Sequence, residues 1–179
     1  MKIYTKTGDD GNTGLQGDLR ISKSHERIFA YGAVDEANAS LGVILSQKLD
    51  SDISEVLQKI QNELFILGSD LSNPNLSDLR NRVSKEMIEN LEIFIDKFEI
   101  ELEPLMNFIL PGGIFSASLL HQSRTIIRRA ETLAVKLSEK DEINQNCIIY
   151  LNRLSDLFFV MSRVINKRNG SKDILWKGN

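Results

Sequence analysis

Apolar residues recur at spacings of three and four in five separate blocks of the chain, the period of helices that bury one face. Residues 23–48 carry Phe29, Ala33, Ala37, Leu41 and Ile44 or Leu45 on one stripe, and residues 52–68 carry Ile53, Val56, Leu57, Ile60, Leu64 and Leu67. Residues 84–103 repeat the pattern through Met87, Leu91, Phe94, Ile95 and Phe98, with Ser84 placed to cap the helix. Residues 115–138 continue it with Leu119, Leu120, Ile126, Ile127, Ala130, Ala134 and Leu137. Residues 143–167 finish it with Ile148, Leu151, Leu154, Phe158, Met161 and Ile165. Glycine, proline and asparagine gather only between the blocks, at 8–17, 72–75, 111–113 and 169–171. The pattern predicts an all-α fold, a five-helix bundle in a single domain over 1–179. Residues 1–22 form a leading loop, 23–168 the bundle and 169–179 a tail. A helix of this length runs about 36 Å, so the links must return the chain along the bundle. For the tail, ending in KDILWKGN, two outcomes stay open: disorder, the default for a terminus, or cover over a site through Trp176.

Composition narrows the classes. Of 179 residues, 41% are hydrophobic and 26% charged, which is globular. A net charge of −3 gives no pull toward nucleic acid. The lone Cys147 cannot form an internal disulfide and favours a reducing compartment. Residues 1–22 hold no apolar signal-type segment, and no unbroken 18-residue apolar run occurs. A soluble, cytoplasmic protein with neither nucleic acid nor membrane as partner is expected. The third block is acidic, with Glu86, Glu89, Glu92, Asp96, Glu99, Glu101 and Glu103 against Lys85 and Lys97; this reads as a solvated face without chemistry.

Chemistry is concentrated in four stretches. In HQSRTIIRRAET (121–132), His121, Arg124, Arg128 and Glu131 fall on one helical stripe. Arginines on a largely buried helix must be paired with carboxylates or phosphates, so the stripe is either an exposed face with an Arg128–Glu131 pair or a phosphate site. In YLNRLSDLFFVMSR (150–163), Asn152, Asp156, Phe159 and Arg163 share a face. They suit either a base or ribose, or a buried network that fixes helix register. In AYGAVDEANA, Asp35 and Glu36 stand among small residues and want a cationic partner, within the subunit or across an interface. The opening IYTKTGDDGNTGLQG spaces Gly8, Gly11, Gly14 and Gly17 three apart, with Thr5, Thr7, Thr13, Lys6 and Lys23 around them. It is neither a Walker A loop nor a dinucleotide fingerprint; it is either a polar turn or an anion nest of converging backbone N–H groups. Two histidines, His25 and His121, and one cysteine cannot build an ordinary zinc site, no Glu-x-x-His exists for a di-iron bundle, and no nucleophilic triad is readable.

Taken in order, YTKTGDDGNTGL, FILPGG at 108–113, RTIIRRAE at 124–131 and YLNRLSD at 150–156 resemble the PduO-type ATP:cob(I)alamin adenosyltransferases over nearly the whole chain. The resemblance implies a five-helix bundle with an N-terminal glycine-rich nucleotide loop, assembled as a homotrimer with active sites between subunits. It implies transfer of the 5′-deoxyadenosyl group of ATP to the cobalt of a reduced corrinoid, cob(I)alamin, with release of triphosphate. By the same resemblance, Thr5, Lys6, Thr7, Gly8, Thr13 and Lys23 form the ATP loop, and Arg128, Arg129, Glu131 and Asn152 complete the ATP site. Asp35 and Arg124 match a pair that bridges subunits beside the corrinoid, and Phe108 matches the aromatic that blocks the lower face of cobalt. Catalysis would rest on Arg128, Phe108, Asp35 and Arg124. Mg²⁺ would be held by the triphosphate, with no protein ligand. A reductase that supplies the electron and an adenosylcobalamin-dependent enzyme that takes the product are implied partners.

Two positions depart from the family pattern: Asp10 stands where lysine is frequent, and Thr132 where arginine is usual, each removing a positive charge near the phosphates. A non-catalytic ATP or corrinoid carrier or sensor of the same fold is the competing expectation. A structural bundle that binds no ATP is a third. Phe108, Arg124, Arg128 and Asn152 together favour the enzyme, since a mere ATP binder needs no cobalt-facing aromatic.

Overall fold

The computed structural model describes residues 2–17 and 19–178. Two short strands, β1 (Asn12–Gly14) and β2 (Arg20–Ser22), precede five helices: α1 (Glu26–Leu45), α2 (Ser51–Ser72), α3 (Lys85–Glu99), α4 (Phe115–Ser138) and α5 (Asn146–Arg168). Strands β3 (Ile109–Leu110) and β4 (Ile174–Leu175) complete the order, β3 between α3 and α4 and β4 in the tail.

The five predicted helices are present, with ends set by local chemistry. The first begins at Glu26 rather than 23, because β2 runs to Ser22 and His25 Nδ1 caps the helix by accepting from the Arg27 N–H at 3.1 Å. Ser84 caps α3 as expected, accepting from the Met87 N–H. That helix stops at Glu99, four residues short of its predicted end, while α2 runs on past 68 to Ser72.

One cluster of buried side chains draws on all five helices, with Tyr150, Phe98 and Phe158 the largest fully buried groups. Helix α4 packs against both α1 and α5; α2 lies on α1, and α3 covers α5. The buried stripe of α1 runs through the expected Ala33, Ala37, Leu41 and Ile44 and takes in Ala30 and Val34, whereas Phe29, also expected there, is 51% exposed. Phe29 lies off the covered face because α1 is sandwiched between α2 and α4, and alanines let both approach closely. By length and a mean hydropathy of 1.2, α1 could cross a membrane. Asp35 and Glu36 at its middle and its packing in the bundle make it a core helix instead.

The acidic face of α3 is largely solvent-facing, with Ile88, Leu91 and Phe98 turned inward. Below the bundle, Asp70 is 3% exposed and ties three segments together. Its carboxylate pairs with Arg82, accepts from the Val83 N–H at 2.8 Å and accepts from the Asn144 amide at 2.7 Å. The links after α2 and α4 are thereby pinned to one carboxylate.

The tail takes the ordered alternative. Strand β4 pairs antiparallel with β3, Ile109 opposite Leu175, and the Trp176 N–H donates to the Phe108 carbonyl at 2.8 Å. The turn before α4 is equally specified. Asn166 accepts from the Ile114 N–H and donates to the Gly112 carbonyl, while Gly113 holds φ = +111°, where a Cβ would sit 2.0 Å from the Asn166 amide.

Removing the Asp70 carboxylate leaves the largely covered Arg82 without its counter-charge and orphans the Val83 N–H. Asp70→Ala should therefore lose about 3–5 kcal/mol of stability, read from urea unfolding; a loss under about 1 kcal/mol would show that Asp70 is not the anchor.

Candidate active site

The leading loop is held by its own cations. Lys23 Nζ donates to the Gly8 carbonyl at 2.8 Å, and the Arg20 guanidinium donates to the Thr7 carbonyl. The Thr5 and Thr7 hydroxyls bond each other at 2.8 Å, Lys6 adopts φ = +60°, and its Nζ lies 6.0 Å from the Tyr4 ring centroid. Gly8 is tight: a Cβ there would meet Lys23 Nζ at 3.1 Å. Thr13 sits in β1 opposite Ile21 of β2. The loop's shape is thus fixed by side chains bonded to its carbonyls, which leaves Thr5, Lys6 and Thr7 exposed at its surface.

Asp10, one of the two departures, accepts from the Asn12 N–H at 3.0 Å and the Asn12 amide at 3.2 Å, and lies 3.7 Å from Arg20. These bonds hold its carboxyl below the usual range, the backbone bond from Asn12 foremost. Its negative charge is answered locally by Arg20, a residue sequence reading passed over. The Asp-x-Asn turn was the available signal; the approach of Arg20 is visible only once β1 and β2 pair.

On α4, the Arg128–Glu131 pair, one of the two alternatives for the stripe, is not formed. Glu131 instead accepts from the Asn152 amide at 3.0 Å, joining α4 to α5, and Arg129 pairs with Glu36 of α1. Arg128 is left exposed beside them in a shallow hollow shared with Arg129, Glu131 and Thr132. Thr132 turns its hydroxyl back to the Arg128 carbonyl, at 3.0 Å. Of Asp35 and Glu36, it is Glu36 that finds a cation within the chain.

Asp35 and Arg124 do not meet in one chain. Asp35 lines a groove of about 550 Å³ between the leading loop, α1 and α2, with Leu15, Tyr31, Asn38 and Phe65. Arg124 lines a different cleft of about 740 Å³ with Phe108, Phe159 and Trp176. Phe108 is 80% exposed on the lip of that cleft, with Trp176 edge-on at 6.4 Å between ring centroids. Arg124 Nε is buried without a hydrogen-bond partner among the described residues.

Behind the cleft lies His121, 3% exposed. Ser162 donates to the Phe159 carbonyl at 2.7 Å, so the imidazole is the donor in its 3.0 Å bond to that hydroxyl. Burial first, and Arg124 second, pull the His121 pKa down to about 4. The imidazole is neutral at pH 7 and sets no second cation against Arg124. On the shared α5 face, Asn152 reaches Glu131, Asp156 lies 3.5 Å from Arg153, Phe159 lines the cleft and Arg163 is buried. Of that face only Arg163 is buried; Asn152 and Asp156 stay exposed. Among the described residues, no three His, Cys, Asp or Glu side chains converge as metal ligands.

Fold and site together define an all-α bundle that carries a strip of arginines on one helix, an aromatic-lipped cleft and a leading glycine loop. The sequence profile of the cobalamin adenosyltransferases matches residues 3–165, and the chain belongs to that family. It is 42% identical over 185 residues to the corrinoid adenosyltransferase of Mycobacterium leprae, covering 98% of this chain and 95% of that protein. It is 43% identical over 179 residues to that of Bacillus subtilis, covering 97% and 91%. A variant PduO-type ATP:corrinoid adenosyltransferase from Lactobacillus reuteri, complexed with cobalamin and ATP, superposes with a TM-score of 0.93 at 37% identity, covering 99% of this chain and all of that one.

The depressed pKa of His121 has a definite sign. The unfolded chain takes up this proton near pH 6.5 and the folded protein only near 4, so stability falls as pH drops through that window. Relative to wild type, His121→Gln should lack about 3 kcal/mol of that loss between pH 7 and pH 4. Urea unfolding at the two pH values measures it; equal losses in both proteins would show that His121 is not the titrating group.

Proposed function

We propose that this protein transfers the 5′-deoxyadenosyl group of ATP to the cobalt of cob(I)alamin and releases triphosphate. The observation that carries the reading is the full-length likeness to the Lactobacillus reuteri protein complexed with both cobalamin and ATP. The layout of α4 supports it. Arg124, in the aromatic cleft, and Arg128, in the arginine hollow, are one helical turn apart, about 6 Å along the axis. A corrinoid in the cleft and a nucleotide on the arginine face would be held by neighbouring turns of a single rigid helix.

In this reading the lone pair of cob(I)alamin forms the cobalt–carbon bond to C5′, while the C5′–oxygen bond breaks and its electrons leave with triphosphate. The corrinoid is the nucleophile, so the protein supplies alignment and charge stabilisation. Arg128 and Arg129, with N–H groups of the loop Thr5–Gly8, take the phosphates. Thr13 and Lys23 keep that loop in shape. Glu131 and Asn152, already bonded to each other, receive the nucleoside. Phe108 blocks the lower axial position, leaving four-coordinate cob(II)alamin, which is easier to reduce. Mg²⁺ rides on the triphosphate.

The protein is read as one domain that works as a homotrimer in the cytoplasm. Asp35 and Arg124 line separate clefts, so their pairing requires a neighbouring copy, and Phe65 (72% exposed) and Phe115 (64% exposed) offer apolar surface for one. Light scattering after gel filtration should give three times the 20.3 kDa chain mass. A monomer at micromolar concentration would remove the shared site.

The direct test is anaerobic, with cob(II)alamin, a strong chemical reductant, Mg-ATP and purified protein. A light-sensitive cobalt–carbon product should form with one triphosphate per corrinoid, and Arg128→Ala should lower kcat by about 10²-fold or more. Binding of ATP or corrinoid without product would instead identify a carrier or sensor. Thr132 borders the arginine hollow, so Thr132→Arg should leave kcat intact and lower the KM for ATP; a raised KM would refute the charge argument.

A further inference from the structure

The cleft that carries Phe108 is assembled from four pieces distant in sequence. Its rim comes from Leu105 to Ile109 and from Trp176 and Gly178 of the tail; its floor is Phe159 of α5 and Arg124 of α4. The rim pieces touch through strands β3 and β4, which are two residues each. An antiparallel pair of that length does not hold itself in water. Something else must fix it.

One side chain contacts both segments that lead into the rim and the Phe159 ring of the floor. Arg163 of α5 is 7% exposed. Its Nη2 donates to the Glu103 carbonyl at 3.0 Å, five residues before Phe108, and its Nε donates to Asp173 Oδ2 at 2.8 Å, three residues before Trp176. Its guanidinium carbon lies 6.0 Å from the centre of the Phe159 ring. The Asp173 carboxylate is 22% exposed, so the ion pair is shielded enough to act as a clasp and not as a loose surface contact.

We propose that Arg163 is a positioning residue for the corrinoid cleft, clasping the tail through Asp173 and the 100–108 segment through Glu103 so that Phe108 and Trp176 are set against each other. The inference rests on the adenosyltransferase reading for what the cleft receives. The clasp acts on the corrinoid half of the reaction and leaves the nucleotide half alone, because none of its contacts reaches the leading loop or the Arg128 hollow.

Asp173→Asn tests it with little risk to folding, since Asp173 belongs to the tail and not to the core. Trp176 is the sole tryptophan, so its fluorescence reports tail docking without ATP, corrinoid or turnover. The variant should show red-shifted emission and stronger acrylamide quenching at unchanged Tm. In the reductant-free protein with cob(II)alamin and ATP, the four-coordinate signal in electron paramagnetic resonance should shrink. Corrinoid kcat/KM should fall about tenfold with the KM for ATP unmoved. Arg163→Lys, which keeps the charge but loses the two-pronged donor, should fall between variant and wild type in each readout. Wild-type quenching and a wild-type four-coordinate signal in Asp173→Asn would overturn the clasp, as would a rise in the KM for ATP equal to the loss on the corrinoid side. A wild-type protein that quenches as expected but forms no adenosylated product would overturn the adenosyltransferase reading and the clasp's role in it.

Discussion

Helix α4 has to be a core element and an arginine-bearing surface along the same 24 residues, and that constraint organises the molecule. It is packed on two sides, by α1 and by α5, with Ala117, Leu120, Ile127, Ala130, Ala134 and Leu137 fully buried between them. A guanidinium cannot share that space without a counter-charge. The arginines are therefore confined to the strip that neither neighbour covers. Alanines facing one another on α1 and α4 keep the axes close, and the 2.8 Å hydrogen bond between Ser40 and Ser123 crosses the same contact. Because α4 is rigid from its N-terminal turn onward, the aromatic cleft and the arginine hollow keep a fixed separation.

The way each cation is partnered separates framework from site. Arg27 is buried and bound to the Leu71 carbonyl and Asp141; Arg82 is bound to Asp70. These arginines are fully used and hold loops against the bundle end. Arg168 ties the end of α5 to Asp50 and Asp52 at the start of α2 and to Glu101 after α3. Arg128, by contrast, is exposed, and Arg124 keeps a buried Nε without a partner among the described residues. Unspent donors on a rigid helix beside an open cleft are what an anionic or polar ligand requires. Neutral His121 behind them is part of the same arrangement, since a protonated imidazole there would oppose Arg124.

How much could be read in advance differed by element. The span of α4 was legible to the residue, because its hydrophobic period is long and Pro111-Gly112-Gly113 marks its start. Phe29 was misassigned to the core because a period fixes which residues share a face but not which face is covered; with neighbours on two sides of α1, the covered face is centred on Ala30, Ala33 and Ala37. The strands were invisible as strands. Three residues or two cannot show an alternation, and β3 and β4 exist only because the ends of two distant segments meet. In the site, the arginine segment and Asn152 were legible as types, whereas the bond from Asn152 to Glu131 and the pairing of Arg129 with Glu36 depend on how two helices are rotated against a third.

The five helices and the family could be read from the order of residues alone, because helical period and local motifs are properties of neighbours along the chain. The tertiary structure alone decided which acid answers which arginine, that Asp10 is offset by Arg20, that Asp35 and Arg124 face different clefts, and that the tail closes on Phe108. Those outcomes turn on contacts between residues from ten to more than ninety positions apart. A charged side chain can choose among several partners of equal type, and only the packing of the core fixes the few ångströms that make one of them its neighbour.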